Sequence, residues 1–447
     1  MSEYLTIDAE KQEKLKKIIL KLHGGASVAE VKKDFGALIQ DVSAAEVAEM
    51  EQALIDNGMP VEEIQHLCEV HVEVFKASLD KEKISSKVDG HPVQTMLEEN
   101  KLARTKVRAL KKTVLAWRFA GGSRDKVLAA LDDLSKILIH YTRKENQLFP
   151  YLEKMDFTGP SRVMWGKHDE IRALFKEART KVERNDKSAI GSLHPLVGKI
   201  GRMIFMEEHI LIPEALRRLS DEDWARIRIG EDAIGFAWLR PGAMYDPHLV
   251  LAGAVRAASK PQVEAANGSA RRAALEPESA SARAASSASA RHDSESSPLS
   301  STNPMVTPAS TEALIELATG QVPRALLSNA LASMPVDISI VDADDRVVYY
   351  SDSPHRIFPR SPAVIGRAVQ NCHPQKSVAT VNRILDAFRK KEKKDARFWL
   401  EMGGRFILID YIALYDAKGE YAGTLEFSQD LTELRALQGQ HRLLDWD

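Results

Sequence analysis

Between Pro92 and Arg218 apolar residues recur every three to four positions, in four long runs. That period predicts helices over 92–120, 124–150, 160–186 and 190–218, separated by "AGGSRDK", "DFTGPS" and "RNDKSAIGS". Four helices joined by connections this short predict an antiparallel bundle. Shorter amphipathic helices precede it. "EKLKKIILKLHGGAS" stops at Gly24 and Gly25, Ser27 and Ser43 are placed as N-caps, and "NGMP" breaks the next run. Over 250–312 the pattern lapses into Ala, Ser, Pro and Glu, and no aromatic residue occurs between Tyr245 and Tyr349. Such a segment buries too little surface to offset its ordering entropy, so a linker is expected. Beyond it the period shortens to two. "VDISIVDADDRVVYYSD" reads as strand, turn and strand, followed by a helix from "SVATVNRILDAFRKKEKKD". "ARFWLEMGG", "RFILIDYIALYDAKGE" and "YAGTLEFSQDLTELR" supply three further strands. The expected fold class is multidomain: all-α, with a helical domain over 1–82 and a four-helix bundle over 88–240, then an α+β domain over 320–436.

Composition narrows the function. Lys and Arg (62) nearly cancel Asp and Glu (64), and a net charge of −2 gives no footprint for nucleic acid or an anionic membrane. The two cysteines, Cys68 and Cys372, lie far apart, which excludes a disulfide framework and points to a reducing compartment. "MSEYLTIDAEKQEKLKK" lacks the apolar core of a secretory signal, and no run approaches the roughly 18 apolar residues of a membrane span. A cytoplasmic protein is expected.

One helix carries an interruption. In "HYTRKENQLFPYLEK" the stripe of Leu148, Phe149 and Leu152 should continue through His140 and Glu145. The bundle region also holds His91, His168, His194 and His209. "ENQLFP" parallels "EHILIP", so that Glu145 and Glu208 each stand five residues before a proline, Pro150 and Pro213. Taking His91, His140, His168 and His209 with Glu145 and Glu208 gives four imidazoles and two carboxylates. That mixture suits two irons, since imidazole favours Fe while carboxylates bridge and neutralise the pair. Cysteine is absent from the set, against a structural zinc. The bland alternative is a set of satisfied core or surface histidines. Residues five apart lie about 140° apart on a regular helix, so His140 and Glu145 meet only across a π-bulge, with Lys144 at the regular position. Glu63-x-x-His66 and Cys68-x-x-His71 are metal-ligand types, but they share one well-formed helical pattern with no partner cluster nearby and read as packing and capping, with metal binding the alternative.

These residues resemble the hemerythrin-type HHE cation-binding domain, a four-helix bundle around a non-haem di-iron centre. The resemblance implies His91, His140, Glu145, His168, Glu208 and His209 as ligands of two Fe ions bridged by oxo and carboxylate groups. Two departures stand out: the carboxylate follows His140 by five positions rather than four, and Met203 takes the place where the fourth helix often has histidine. Glu207 substitutes for Glu208 if the register differs by one. Residues 15–80 resemble the helical domain of unknown function that precedes such bundles in a bacterial subfamily. Ferritin-like oxidases require Glu-x-x-His on two helices, which this bundle lacks. Residues 325–435 resemble a PAS sensory domain through "MPVDISIVDADDRVVYYSD", "IGRAVQNCHP" and "YAGTLEFSQDLTELR". Such pockets hold haem, flavin, small metabolites or nothing; Cys372 and His373 are its candidate ligand pair.

The expectation is therefore a non-enzymatic, metal-binding cytoplasmic sensor of O2, NO or redox state. Its signal would leave through an unidentified protein partner or a PAS homodimer. A di-iron repair protein for damaged iron–sulfur clusters is the catalytic alternative, and an iron- or O2-binding protein the simplest one.

Overall fold

The computed structural model describes residues 88–258 and 314–439, together with scattered positions between 14 and 54. Glu63, His66, Cys68, His71 and most of the expected linker lie outside the described residues. Two N-terminal expectations fall within them. Ser27 and Glu30, and likewise Ser43 and Glu46, exchange side-chain and backbone hydrogen bonds three residues apart, a capping box in each case. Gly25 adopts φ +89° where the first run stops.

The bundle starts with α1 (Pro92–Phe119), capped by His91, whose Nδ1 accepts from the Val93 N–H. The second run divides into α2 (Arg124–Ser135), α3 (Ile137–Arg143) and α4 (Phe149–Glu153). Next come α5 (Gly159–Glu183), α6 (Ile190–Met206) and α7 (Ile212–Arg218). α1 packs on α2, α2 on α5, α5 on α6 and α6 on α1, which closes a ring of four helical rods. Val93, Met96, Leu131, Leu134, Ile171, Leu196, Ile200 and Ile204 fill it. α8 (Asp221–Glu231) brings Trp224 into the same core, and α9 (Pro247–Ala258) continues as helix into the segment expected as linker.

Two rods are irregular at the same point. The residues between α3 and α4, Lys144–Leu148, and those between α6 and α7, Glu207–Leu211, each form a π turn. The sequence dictates both. The N–H of Phe149 bonds the Lys144 carbonyl and that of Ile212 the Glu207 carbonyl, a five-residue step. The next residue, Pro150 or Pro213, has no N–H to carry the ladder on. A bulge of this kind holds one extra residue in the helix, and such bulges gather at functional sites.

The C-terminal region is an antiparallel five-stranded sheet in the order β4-β3-β7-β6-β5. Its strands are β3 (Asp337–Asp342), β4 (Val347–Tyr350), β5 (Asp395–Met402), β6 (Arg405–Tyr415) and β7 (Tyr421–Asp430). The helix Gln375–Arg389, here α11, packs on it with Leu385 and Phe388 buried. All five strands fall on the alternating segments read from the sequence. Earlier in the chain a separate hairpin, β1 (Leu314–Leu317) with β2 (Gly320–Pro323), leads into α10 (Arg324–Ser333).

Candidate metal centre

The four rods converge on a buried polar cluster. His140 on α3 is fully buried, with Nδ1 2.6 Å from Glu99 Oε2 and Nε2 2.9 Å from Glu207 Oε2. Glu207 opens the second π turn and also accepts from the Lys144 ammonium, the first residue of the other π turn. Lys144 Nζ lies 3.2 Å from Nε2 of His168 on α5, and His168 Nδ1 is 2.8 Å from Glu145 Oε1. The His168 ring stacks on Tyr141 at 4.1 Å between centroids. Around this chain, Arg143 donates to Glu99 (2.5 Å) and Glu231 (3.0 Å), and Arg172 to Glu145 (2.7 Å).

Proton positions follow from the partners. An ammonium only donates, so His168 Nε2 accepts from Lys144 and its Nδ1–H faces Glu145. Burial, then the Lys144 charge, push the His168 pKa well below its ordinary value, which keeps this ring neutral. Burial lowers the Lys144 pKa against the pull of Glu207. Although burial alone would raise them, Glu207 is held far below the carboxylate range by Lys144 and His140, and Glu99 by His140 and Arg143. Glu145 is raised by burial against Arg172, and Glu231 is pushed up to about 7 by burial against Arg143. Four acids (Glu99, Glu145, Glu207, Glu231) thus face four basic groups (His140, Arg143, Lys144, Arg172). Such pairing is what permits so many ionisable groups to sit dry.

Of the six expected ligands, the structure brings three into this cluster: His140, Glu145 and His168. Glu145 reaches it from behind His168. The other three stand elsewhere. His91 caps α1 and packs its ring on Trp224 and Tyr245. Glu208 pairs with Arg104 at 2.8 Å at the surface, and His209 stacks on Phe205 with Nδ1 3.0 Å from that residue's carbonyl oxygen. For Glu208 the reason is register: the π turns align Lys144 with Glu207 and Glu145 with Glu208, and it is the first residue of each turn, Lys144 and Glu207, that meets across the rods. Glu99, Glu231, Arg143 and Arg172 are cluster members that the sequence reading did not name, and Lys144 it named only as the residue at the regular position. Glu99 carried a signal, since Met96, Glu99, Asn100 and Ala103 form one buried stripe of α1.

As they stand, no three His, Cys, Asp or Glu side chains among the described residues are grouped to hold a metal ion; His140, His168 and Glu207 carry the donor types that one would use. Glu99 and Glu145 each hold the Nδ1 side of a histidine; His140 Nε2 then faces the Glu207 carboxylate and His168 Nε2 faces Lys144, which itself donates to Glu207. A carboxylate behind each imidazole is the usual support of a metal-binding histidine. A pair of ions is a poorer match. The positions that would supply a further carboxylate and imidazole hold Lys144 and Met203, and Met203 is buried among apolar residues.

In the sheet domain, Cys372 and His373 point to backbone rather than to each other: Sγ lies 3.7 Å from Ala368 O and Nδ1 2.8 Å from Val369 O. Burial raises the Cys372 thiol against the pull of Arg367. The cavity that His373 lines with Tyr411 and Glu426 measures about 30 Å³. That is room for a water, while organic ligands occupy roughly 300 Å³ or more.

Fold and cluster together define a class: a helical bundle around a buried cluster of carboxylates and basic side chains, joined to an antiparallel α+β sheet domain. Comparison with known proteins gives the particulars. Residues 91–215 match the hemerythrin HHE cation binding domain, residues 327–432 a PAS domain, and residues 15–81 a family of unknown function, DUF438. The chain is a hemerythrin HHE-domain protein with a DUF438 domain before the bundle and a PAS domain after it. No curated protein matches it. Among solved structures it is similar to the C-terminal domain of a Streptococcus mutans protein: 27% identity, 29% of this chain, 100% of that one, TM-score 0.28. It is also similar to a sensory box sensor histidine kinase from Vibrio cholerae (18%, 24% and 92%, TM-score 0.20). A third similar structure is the PAS domain of Bordetella pertussis BvgS (18%, 25% and 90%, TM-score 0.21).

Proposed function

We propose that this chain is a metal-dependent sensor in which the bundle holds one ion through His140, His168 and Glu207, and the PAS domain passes on its state. The observation that carries the reading is a connected buried run, His140 Nε2 to Glu207, Glu207 to Lys144 and Lys144 to His168 Nε2, with each imidazole backed by its own glutamate. Mixed nitrogen and oxygen donors without sulfur favour iron, and iron supplies affinity for O2 or NO and a change of redox state. Lys144 sets the terms of loading, because its ammonium shares the carboxylate that the ion would use. No helix among the described residues is long and apolar enough to cross a membrane, which supports a cytoplasmic setting. Output goes to a protein partner or a second copy. The exposed edge strand β5, with Phe398, Trp399 and Leu400 on its surface, supports self-association.

The test is anaerobic purification followed by metal analysis and an absorption spectrum before and after O2 or NO. One iron per chain, with a spectrum that responds to either gas, is expected. Two irons per chain would overturn the single-ion reading. Failure to load iron under any condition would overturn the metal-sensor reading altogether.

A further inference from the structure

The π turn of the second rod has an external anchor. After the five-residue step, the Glu145 carbonyl has no helical donor, because the Phe149 N–H serves Lys144 and the residue after it is Pro150. The Asn146 carbonyl likewise loses its regular partner, which Pro150 again should have been. Both acceptors are taken up by the PAS domain. Arg367 Nη1 donates to the Glu145 carbonyl at 3.1 Å, and Ser361 Oγ to the Asn146 carbonyl at 2.9 Å. The same guanidinium forks onto Glu153 of α4, with Nε–Oε2 2.7 Å and Nη2–Oε1 2.9 Å, and lies over the Trp165 ring.

Arg367 is itself held rigidly. It follows Gly366, whose φ of +80° favours glycine, and its carbonyl accepts from the Val347 N–H of β4 while the Gly366 N–H donates to the Val347 carbonyl. The bundle and the sheet from Leu331 onward belong to one compact unit. Buried Arg367 is thus a short, fully bonded link from a sheet strand to the backbone of Glu145, whose side chain holds His168.

We infer that Arg367 and Ser361 of the PAS domain are positioning residues for the metal centre: they hold the π turn open at Glu145 and Asn146, and so couple the cluster to the sheet. The bulge forgoes regular helical bonds, and the PAS side chains replace what it forgoes. A sheet that shifts at β4 moves the carbonyl from which the Glu145 side chain is hung. A displacement of Lys144 from the cluster reaches Arg367 by the same route, since coupling between two sites is reciprocal.

The test uses hydrogen exchange by mass spectrometry on the full-length, metal-free protein, so the identity of any ion does not enter. Arg367→Ala is expected to speed exchange in peptides spanning 144–149 at least tenfold, while peptides from the middle of α1 and α6 keep their rates. Ser361→Ala is expected to change the same peptides in the same direction, by less. Arg367→Lys preserves a cation for Glu153 but loses the fork, and should fall between wild type and Arg367→Ala. Lys144→Met should speed exchange over 361–369 in the wild-type background and leave it unchanged in the Arg367→Ala background. That transmission is a response which a contact that merely adds stability does not produce. Unchanged exchange over 144–149 in folded Arg367→Ala overturns the inference. If that variant does not fold, unchanged exchange in both Arg367→Lys and Ser361→Ala overturns it equally.

Discussion

Lys144→Met is the most informative single substitution in the bundle. Lys144 is 1% exposed, bonds Glu207 and His168, and lies 4.7 Å from the Tyr141 ring centroid. Removing one partner of a buried ion pair costs about 3–5 kcal/mol, because the other charge stays buried without it. Two features place this case at the low end. Glu207 keeps His140 at 2.9 Å, and methionine refills most of the lysine volume without a charge to desolvate. The metal-free variant should therefore lose about 3 kcal/mol, read from urea unfolding followed by far-ultraviolet circular dichroism. Metal affinity should move the other way. The substitution removes a cation that competes for Glu207 and leaves a site short of one positive charge, so iron should bind at least tenfold tighter, about 1.4 kcal/mol, in competition with a chromophoric chelator. A variant within about 0.5 kcal/mol of wild-type stability and with unchanged affinity would refute the role given to Lys144.

Glu207→Gln should weaken iron binding at least tenfold while Glu208→Gln leaves it unchanged, since Glu208 pairs at the surface with Arg104; chelator titrations of the two compare them directly. Glu145→Gln weakens the bond that orients His168 and should cost about ten- to a hundredfold in affinity without altering stoichiometry. Glu231, raised from 4.5 to about 7, binds its proton more tightly in the native state. Its contribution to stability is therefore present below pH 4.5 and lost as pH rises to about 7, and Glu231→Gln should flatten unfolding free energy across that window. Glu99 and Glu207 have the opposite sign: their stabilisation is present above the ordinary carboxylate range and is lost as acid approaches their lowered values. Trp399→Glu should abolish any dimer seen by sedimentation; an unchanged dimer places the contact elsewhere.

The four long rods and the five strands of the sheet were legible because their patterns are regular and their breaks are marked by Gly and Pro; α8, α9, α10 and the β1–β2 hairpin were not read. The π turn was legible from a conflict: His140 and Glu145 are five apart and only a bulge reconciles them. The register of the second rod was half legible, because "ENQLFP" and "EHILIP" align the two turns but do not say which member of each pair turns inward. Lys144 stood at the inward position of a regular helix, and the expected bulge gave that place to Glu145; the structure buries both. A lysine on a helix is ordinarily solvated, and only the neighbouring rod, by presenting Glu207, makes its burial tolerable. His91 and His209 have cap and ring-stacking roles that composition alone does not separate from coordination. The Arg367 contact joins residues more than two hundred positions apart, and no local pattern reports such a pairing.

The burial of two consecutive residues has a consequence for what one helix can offer its interior. On a regular helix neighbouring side chains diverge by about 100°, so two consecutive residues point to different neighbours even where both are buried. Here Lys144 and Glu145 are consecutive and both are buried. One backbone thus delivers opposite charges side by side, the ammonium to Glu207 and the carboxylate to His168. Two such neighbours give one rod the vocabulary of two, letting a four-rod bundle surround its centre with more chemistry than four inward-facing lines could spell.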